Sequence, residues 1–273
     1  MKAMTTNAAP GPIPSSALLT HRIDGAGPPL VLLNGGFMSI GAWEPFVAPL
    51  SAHHRVIRCD FRGQLLSPGP YPSSVDEHAL DVLALLDSLD IASAHVLGVS
   101  FGAEVALKLA ALAPERVDRL TIISATDRLT ERMRNDIREG KRLAEEAAAG
   151  RPGSGEELFR RVLTDTWSES WLARQPPNFI ETRAQQASLL PSTYFAGAAA
   201  LLGALDTLDL TDALERITAP TLVIGGEHDR VFPPEHSHAI ANGIANARLE
   251  IIPDTGHGLL IEHANRVIEL LGA

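Results

Sequence analysis

A single cysteine, Cys59, leaves no partner for an intrachain disulfide, so nothing in the sequence calls for an oxidising compartment. It closes the run HRVIRCD and reads as a small buried hydrophobe rather than a reactive thiol. Positive charge is also scarce. Lys and Arg number 23 against 33 Asp and Glu, a net charge of −10 with histidine neutral. That balance argues against nucleic acid or an anionic membrane surface as partner. Long apolar runs are missing too: the longest uncharged one, YFAGAAALLGAL at 194–205, is too short to span a bilayer. The opening MKAMTTNAAPGPIPSS has one lysine, three prolines and no apolar core. It reads as a loose leader over 1–16 rather than a secretory signal, and a cytoplasmic location is expected.

Against these absences stand seven β-rich runs, at 17–23, 28–34, 54–60, 94–100, 120–126, 221–227 and 247–253. From 28 onward they are near-continuously apolar, as strands covered on both faces must be. Helical patterns fill most of the gaps. SSVDEHALDVLALLDSLD offers Ser74 or Asp76 as a cap, SFGAEVALKLAALAPERV follows at 100–117, and EHANRVIELLGA closes the chain. The alternation implies right-handed crossovers and an α/β fold: a mostly parallel, doubly wound sheet forming a single domain over 1–273.

One segment, 127–216, contains no convincing strand. It carries a charged helix, DRLTERMRNDIREGKRLAEEAAAG, then helical pieces with Trp167, Trp171, Phe179, Tyr194 and Phe195. We read it as a helical cap over the strand ends, with Trp167, Trp171 and Tyr194 expected to contact substrate. Its basic residues, Arg128, Arg132, Arg134, Arg138, Lys141 and Arg142, are diluted by acids and read as a solvated face rather than a docking patch.

The sharpest signal is HVLGVSFGAEVAL at 95–107, where a strand rhythm changes to a helical one across Gly98-Val99-Ser100-Phe101-Gly102. Gly-x-Ser-x-Gly is weak evidence alone; at a strand-to-helix junction it marks an exposed serine on a strained turn. Such a hydroxyl needs a base, and the base an orienting acid. Asp229 follows the run TLVIGGEHD, and His257 sits between Gly256 and Gly258 after the last strand. Both fall just past strand ends, where sites form in parallel sheets. Glu227 and Asp127 are the competing acids. The oxyanion donors are expected to be the N–H of Phe101 and one from Asn34-Gly35-Gly36-Phe37-Met38, with Gly36 preferred to Phe37. His228, His236 and His238 lack regular ligand spacing, so no metal site is expected. The remaining histidines, among them His78 and His95, lie on strands or helix surfaces away from the strand ends.

With these motifs the chain resembles the α/β-hydrolase superfamily from residue 17 onward. GVSFG, PTLVIGGEHDRVFP, IIPDTGHG and CDFRGQLLSPG carry the likeness. The resemblance implies a core of mostly eight strands, a helical cap inserted after strand 6, and no cofactor. Two departures stand out. Asn34-Gly35 replaces the usual His-Gly, as is familiar from enol-lactonases and similar to enzymes assembling hydroxyacyl lipid precursors of rhamnolipids. Leu65 replaces a glycine, either lining an apolar pocket rim or packing beneath its loop. A serine in place of a carboxylate nucleophile points to acyl chemistry. The expected function is hydrolysis of a small-molecule carboxylic ester, lactone or thioester through an acyl-enzyme. An acyltransferase and a carbon–carbon bond hydrolase or lyase share the framework; a non-catalytic binding protein is disfavoured by the intact Ser100, Asp229 and His257.

Overall fold

Side chains alternate across each strand, so a strand buried on both faces must be apolar throughout. In the computed structural model, which describes residues 19–67 and 69–272, this rule builds the core. The strands are β1 (His21–Asp24), β2 (Pro29–Leu33), β3 (Arg55–Cys59), β4 (Ala94–Val99), β5 (Val117–Ile123), β6 (Thr221–Gly226) and β7 (Ala247–Ile252). They form one sheet in the order β1-β3-β2-β4-β5-β6-β7. β1 runs antiparallel to β3 and the other pairings are parallel.

The helices are α1 (Glu44–Ser51), α2 (Val75–Ser88), α3 (Phe101–Leu112), α4 (Glu131–Ala148), α5 (Ser154–Thr166), α6 (Glu169–Leu172), α7 (Phe179–Ala187), α8 (Ser192–Ala204), α9 (Thr211–Leu214), α10 (Pro234–Gly243), α11 (Leu259–Glu262) and α12 (Ala264–Leu271). Leu30 and Leu32 of β2 pack with Phe46 and Leu50 of α1 and Val267 of α12. Val31 and Leu33 of the same strand pack in the opposite layer with Val82 of α2 and Ala106 of α3. Of the two candidate caps for α2, Ser74 takes the role, its Oγ accepting the Glu77 N–H at 3.3 Å. Cys59 is fully buried, and burial pushes its thiol up out of the reactive range.

The sequence expectation of a doubly wound sheet is met, with two differences of detail. The described residues contain seven strands, one fewer than the eight-strand frame, so the helical segment follows the fifth of them, β5. Of the run at 17–23, the part from His21 falls in β1, which ends one residue further on at Asp24, while the expected leader lies outside the described residues. Register brings the carboxyl ends of β2, β4, β5 and β6 to one edge: Leu33 pairs with Gly98, Val99 with Ile123, and Ile123 with Ile224.

Helices α4 to α9 form the insertion between β5 and β6. Its way in and its way out are joined, because the Leu210 N–H donates to the Asp127 carbonyl at 2.7 Å. It has its own small core, in which Leu158 and Phe159 meet Tyr194 and Phe195. Basic residues of α4 are paired on its surface: Arg138 with Asp206 at 3.0 Å, Arg142 with Glu139 at 2.7 Å, and Lys141 with Glu145 at 3.6 Å. The insertion sits on the loop after β3 through two glycines. Gly63 has φ +102°, and a Cβ on Gly197 of α8 would collide with the Gly63 carbonyl.

Gly197→Ala is therefore expected to destabilise the protein by about 2 kcal/mol through overpacking. Gly203→Ala, on the same helix with only the Lys141 chain at 3.5 Å from the new Cβ, should be neutral or stabilising. Urea denaturation of both variants measures the contrast.

Candidate active site

β4 can turn directly into α3 only because two side chains are missing. A Cβ on Gly98 would collide with the Gly102 carbonyl, and one on Gly102 would lie 2.6 Å from the Asn34 carbonyl. The turn places Ser100 at φ +50°, ψ −124°, a backbone conformation that costs a non-glycine residue about 1–3 kcal/mol. Its N–H is held by the Ile123 carbonyl at 2.9 Å. Phe101, the first residue of α3, has an N–H with no acceptor inside the helix, beside the positive end of the helix dipole.

Three residues from separate loops meet at this turn. Ser100 Oγ lies 3.0 Å from His257 Nε2, and His257 Nδ1 lies 2.8 Å from Asp229 Oδ2. A carboxylate only accepts, so Nδ1 carries the imidazole proton and Nε2 is left to accept from the serine hydroxyl. Asp229 Oδ1 accepts the N–H groups of Val231 at 2.9 Å and Phe232 at 2.8 Å, which fixes the carboxylate.

The competing acids are occupied elsewhere. Glu227 is exposed and accepts the Asp254 N–H at 2.9 Å. Asp127 is buried and pairs with His236 Nδ1 at 2.7 Å. That pair also separates the three neighbouring histidines, since His228 lies at the surface, 3.9 Å from Glu227. Gly36 and Phe37 both border the same hollow as Ser100 and Phe101. A Cβ on Gly36 would stand 3.8 Å from that of Phe101. The Phe37 carbonyl accepts from Tyr194 Oη at 3.2 Å.

Asn34 does not face the hollow. Its Nδ2 donates to Asp60 Oδ1 and Gln64 Oε1, both at 2.9 Å, and its Oδ1 accepts from Trp43 Nε1 at 2.7 Å. Gln64 in turn donates to the Gly35 carbonyl at 2.7 Å. The departure from His-Gly thus builds a buried polar knot under the glycine loop. Leu65 is 46% exposed and borders solvent rather than the hollow.

The hollow is a cavity of about 190 Å³ between the strand ends and the insertion. The aromatic residues expected to face it do not. Trp167 stacks on Trp171 at 4.2 Å, Phe179 meets that pair edge-on, and Tyr194 lies in the core of the insertion. Aromatic content could not distinguish packing inside the insertion from a pocket wall, because both environments are apolar. The insertion's side of the wall is aliphatic instead, built from residues such as Ile137, Leu158, Val162, Leu201 and Leu202, while Phe37, Phe101 and Phe232 border the cavity from the strand-end loops.

Several supports of the site were not foreseen. Glu262 Oε1 accepts the N–H groups of Ser168 at 3.0 Å and Gly256 at 3.2 Å, and its Oε2 accepts from Ser168 Oγ at 2.5 Å. The Gly258 N–H donates to the Thr166 carbonyl at 2.7 Å. Arg230 donates to the carbonyls of Thr164 at 2.8 Å and Trp167 at 3.1 Å. One corner of the insertion, 164–168, therefore holds the loops on both sides of the imidazole. His78 is fully buried, edge-on to Phe61 and Phe101, and burial pushes its pKa down to about 3, so it stays neutral.

Comparison with known proteins agrees with this architecture. The family profile described as alpha/beta hydrolase fold matches residues 28–264, and the chain belongs to that family. RutD of Azorhizobium caulinodans, named as a carbamate hydrolase, is 31% identical over 236 residues, covering 85% of this chain and 84% of that protein. The 2-hydroxymuconate semialdehyde hydrolase of Pseudomonas sp. CF600 is 33% identical over 261 residues, covering 91% of this chain and 87% of that protein. The enol-lactonase of Burkholderia xenovorans LB400 superposes with a TM-score of 0.79 at 28% identity, covering 93% of this chain and 94% of that one. The protein is an enzyme of the hydrolase class. Among the described residues no single helix is long and apolar enough to cross a membrane.

Glu104, one turn into α3, is fully buried. Burial pushes its carboxyl well above its usual range, and the charge of Asp229 adds to the shift; the Thr126 N–H, at 3.0 Å, only partly offsets it. A carboxyl whose folded pKa is raised supports folding below its unfolded value and loses that support as pH rises towards the folded value. Glu104→Gln should therefore gain stability over the parent from about pH 4.5 upward, by at most about 1.4 kcal/mol per pH unit. Denaturant midpoints of the two proteins between pH 4 and 9 measure the divergence.

Proposed function

We propose that the protein is a serine hydrolase that cleaves a small-molecule carboxylic ester, lactone or thioester through an acyl-enzyme. The observation that carries this reading is the unbroken chain of contacts from Ser100 Oγ through both imidazole nitrogens to Asp229. His257 Nε2 takes the hydroxyl proton as Ser100 Oγ attacks the carbonyl carbon. The resulting oxyanion is held by the N–H groups of Gly36 and Phe101, the second of them backed by the start of α3. Phe37 is the other donor candidate in the same loop. Asp229 steadies the imidazolium, which gives its proton to the leaving group. Water, deprotonated by His257, then attacks the acyl carbonyl and frees the acid and Ser100.

In this reading the insertion is a cap. It closes the space above Ser100, and its 164–168 corner holds His257 at hydrogen-bond distance from the hydroxyl. The buried Asp127–His236 pair belongs to the base of the cap and takes no part in proton transfer.

Ser100→Ala is expected to abolish p-nitrophenyl ester hydrolysis with an unchanged circular dichroism spectrum, and a phosphonate should label the parent once, at Ser100. Asp229→Asn should lower kcat by about 10⁴, as loss of the imidazole's orienting acid does in a serine triad. Asp127→Asn should lower it less than about tenfold, since His236 is not the base. Steady-state kinetics of the three variants decide the assignment, and the reverse order for the two aspartates would move the acid to the end of β5.

A further inference from the structure

We infer that the acyl half of the substrate is an uncharged, apolar group of about seven or eight carbon atoms, with Gly140 of α4 setting its upper size. This rests on the serine-hydrolase reading and adds to it a substrate class and a specificity-determining residue.

The size follows from the cavity. An apolar protein cavity of about 150 Å³ takes a benzene-sized molecule. The one beside Ser100 measures about 190 Å³, room for one or two carbon atoms more.

The chemistry follows from its wall. Ile137, Leu158, Val162, Leu201 and Leu202 supply an aliphatic surface. Thr166 also borders the cavity, but its hydroxyl is spent on the Val162 carbonyl at 2.7 Å. Four charged residues touch the cavity, Asp136, Arg161, Asp165 and Arg230. All four are exposed, two of each sign, so they belong to the mouth. Arg230 is already bound to two cap carbonyls. Arg161 stands exposed at the mouth, so a carboxylate seated against the aliphatic wall would be buried away from both guanidinium groups. A group as small and polar as a carbamate would leave the aliphatic wall without a partner. The relatives named for carbamate and for 2-hydroxymuconate semialdehyde thus act on chemistry that this cavity does not match.

Gly140 sits inside α4, where glycine is the least favourable residue after proline. A Cβ there would stand 3.4 Å from Leu202 Cδ1 and 3.8 Å from Leu158 Cδ1. Both leucines line the cavity, so any side chain longer than a methyl at 140 must enter it or push that wall inward. The absent side chain is volume available to substrate.

The test is a series of p-nitrophenyl esters from acetyl to dodecanoyl, together with the octanoyl ester bearing a terminal carboxylate. For the parent, kcat/KM should peak at about seven or eight carbons and fall roughly tenfold by dodecanoyl, whose last methylenes find no apolar surface. The carboxylate-tipped ester should be slower than octanoyl by about 100-fold. Gly140→Leu should move the peak at least two carbons shorter, with thermal melting verifying its fold; Leu202→Phe narrows the same wall if that variant does not fold. A flat chain-length profile, a carboxylate-tipped ester that matches octanoyl, or an unmoved peak in a folded wall variant overturns the inference. Phosphonate labelling separates the two levels. Labelled Ser100 with a flat profile refutes only the acyl assignment, whereas full activity in Ser100→Ala refutes the serine-hydrolase reading and this inference with it.

Discussion

The close crossing of β4 and α3 is the constraint on which the rest of the site depends. With a Cβ at Gly98 or Gly102 the helix could not start where it does, because backbone carbonyls occupy both positions. That crossing forces Ser100 into its positive-φ conformation and holds its side chain at the strand edge. It also aims the first amide of α3 at the same point in space. The hydroxyl and the Phe101 N–H, an oxyanion donor in the proposed mechanism, are thus two products of a single backbone event, and neither could be moved without the other. The strain at Ser100 persists because the sheet register and the hydrogen bond to Ile123 over-determine the turn.

The imidazole is held differently, by pieces that come from far along the chain. Glu262 spends three hydrogen bonds on the 168 and 256 backbone amides and the Ser168 hydroxyl, so it joins the insertion to the loop that carries His257. Arg230 does the same from the acid's side, through the carbonyls of Thr164 and Trp167. Movement of the insertion corner away from the sheet would break these bonds on both sides of the imidazole together. In the proposed mechanism, docking of the cap and alignment of the base are therefore coupled. Trp167 packs against Gly258 and completes that contact without touching the cavity, which gives the tryptophan pair a mechanical place in the molecule.

The parts legible from the sequence were those whose physics is local or periodic. A strand covered on both faces advertises itself as a continuous apolar run, and the strand–serine–helix junction shows in the change of rhythm at Ser100. Asp229 and His257 could be read because each directly follows such a run. Long-range pairings left no such mark. Asp127 and His236 are 109 residues apart, and Ser168 and Glu262 are 94 apart; only the tertiary fold brings them together. Asn34 was visible as a departure, but its role in the Trp43–Asp60–Gln64 knot depends on loops whose approach no spacing encodes. The aromatic residues misled because burial and pocket lining select the same side chains. Gly140 did leave a trace, a glycine inside a helical pattern, though only the cavity beside it says why that position is empty.

Three of the buried carboxyl groups around the helix start and the neighbouring strand ends, Asp229, Asp127 and Glu104, differ in the partners the fold gives them. Asp229 accepts from two backbone amides and lies 2.8 Å from the His257 ring. Asp127 has the His236 ring at 2.7 Å, away from the serine. Glu104 has one amide, while its second oxygen is buried without a partner, and Asp229 adds a negative charge nearby. Burial therefore wins at Glu104, and its carboxyl is pushed well above its usual range. Asp229 is the acid that faces the imidazole, and the difference among these chemically similar side chains follows from how many N–H donors the fold brings to each.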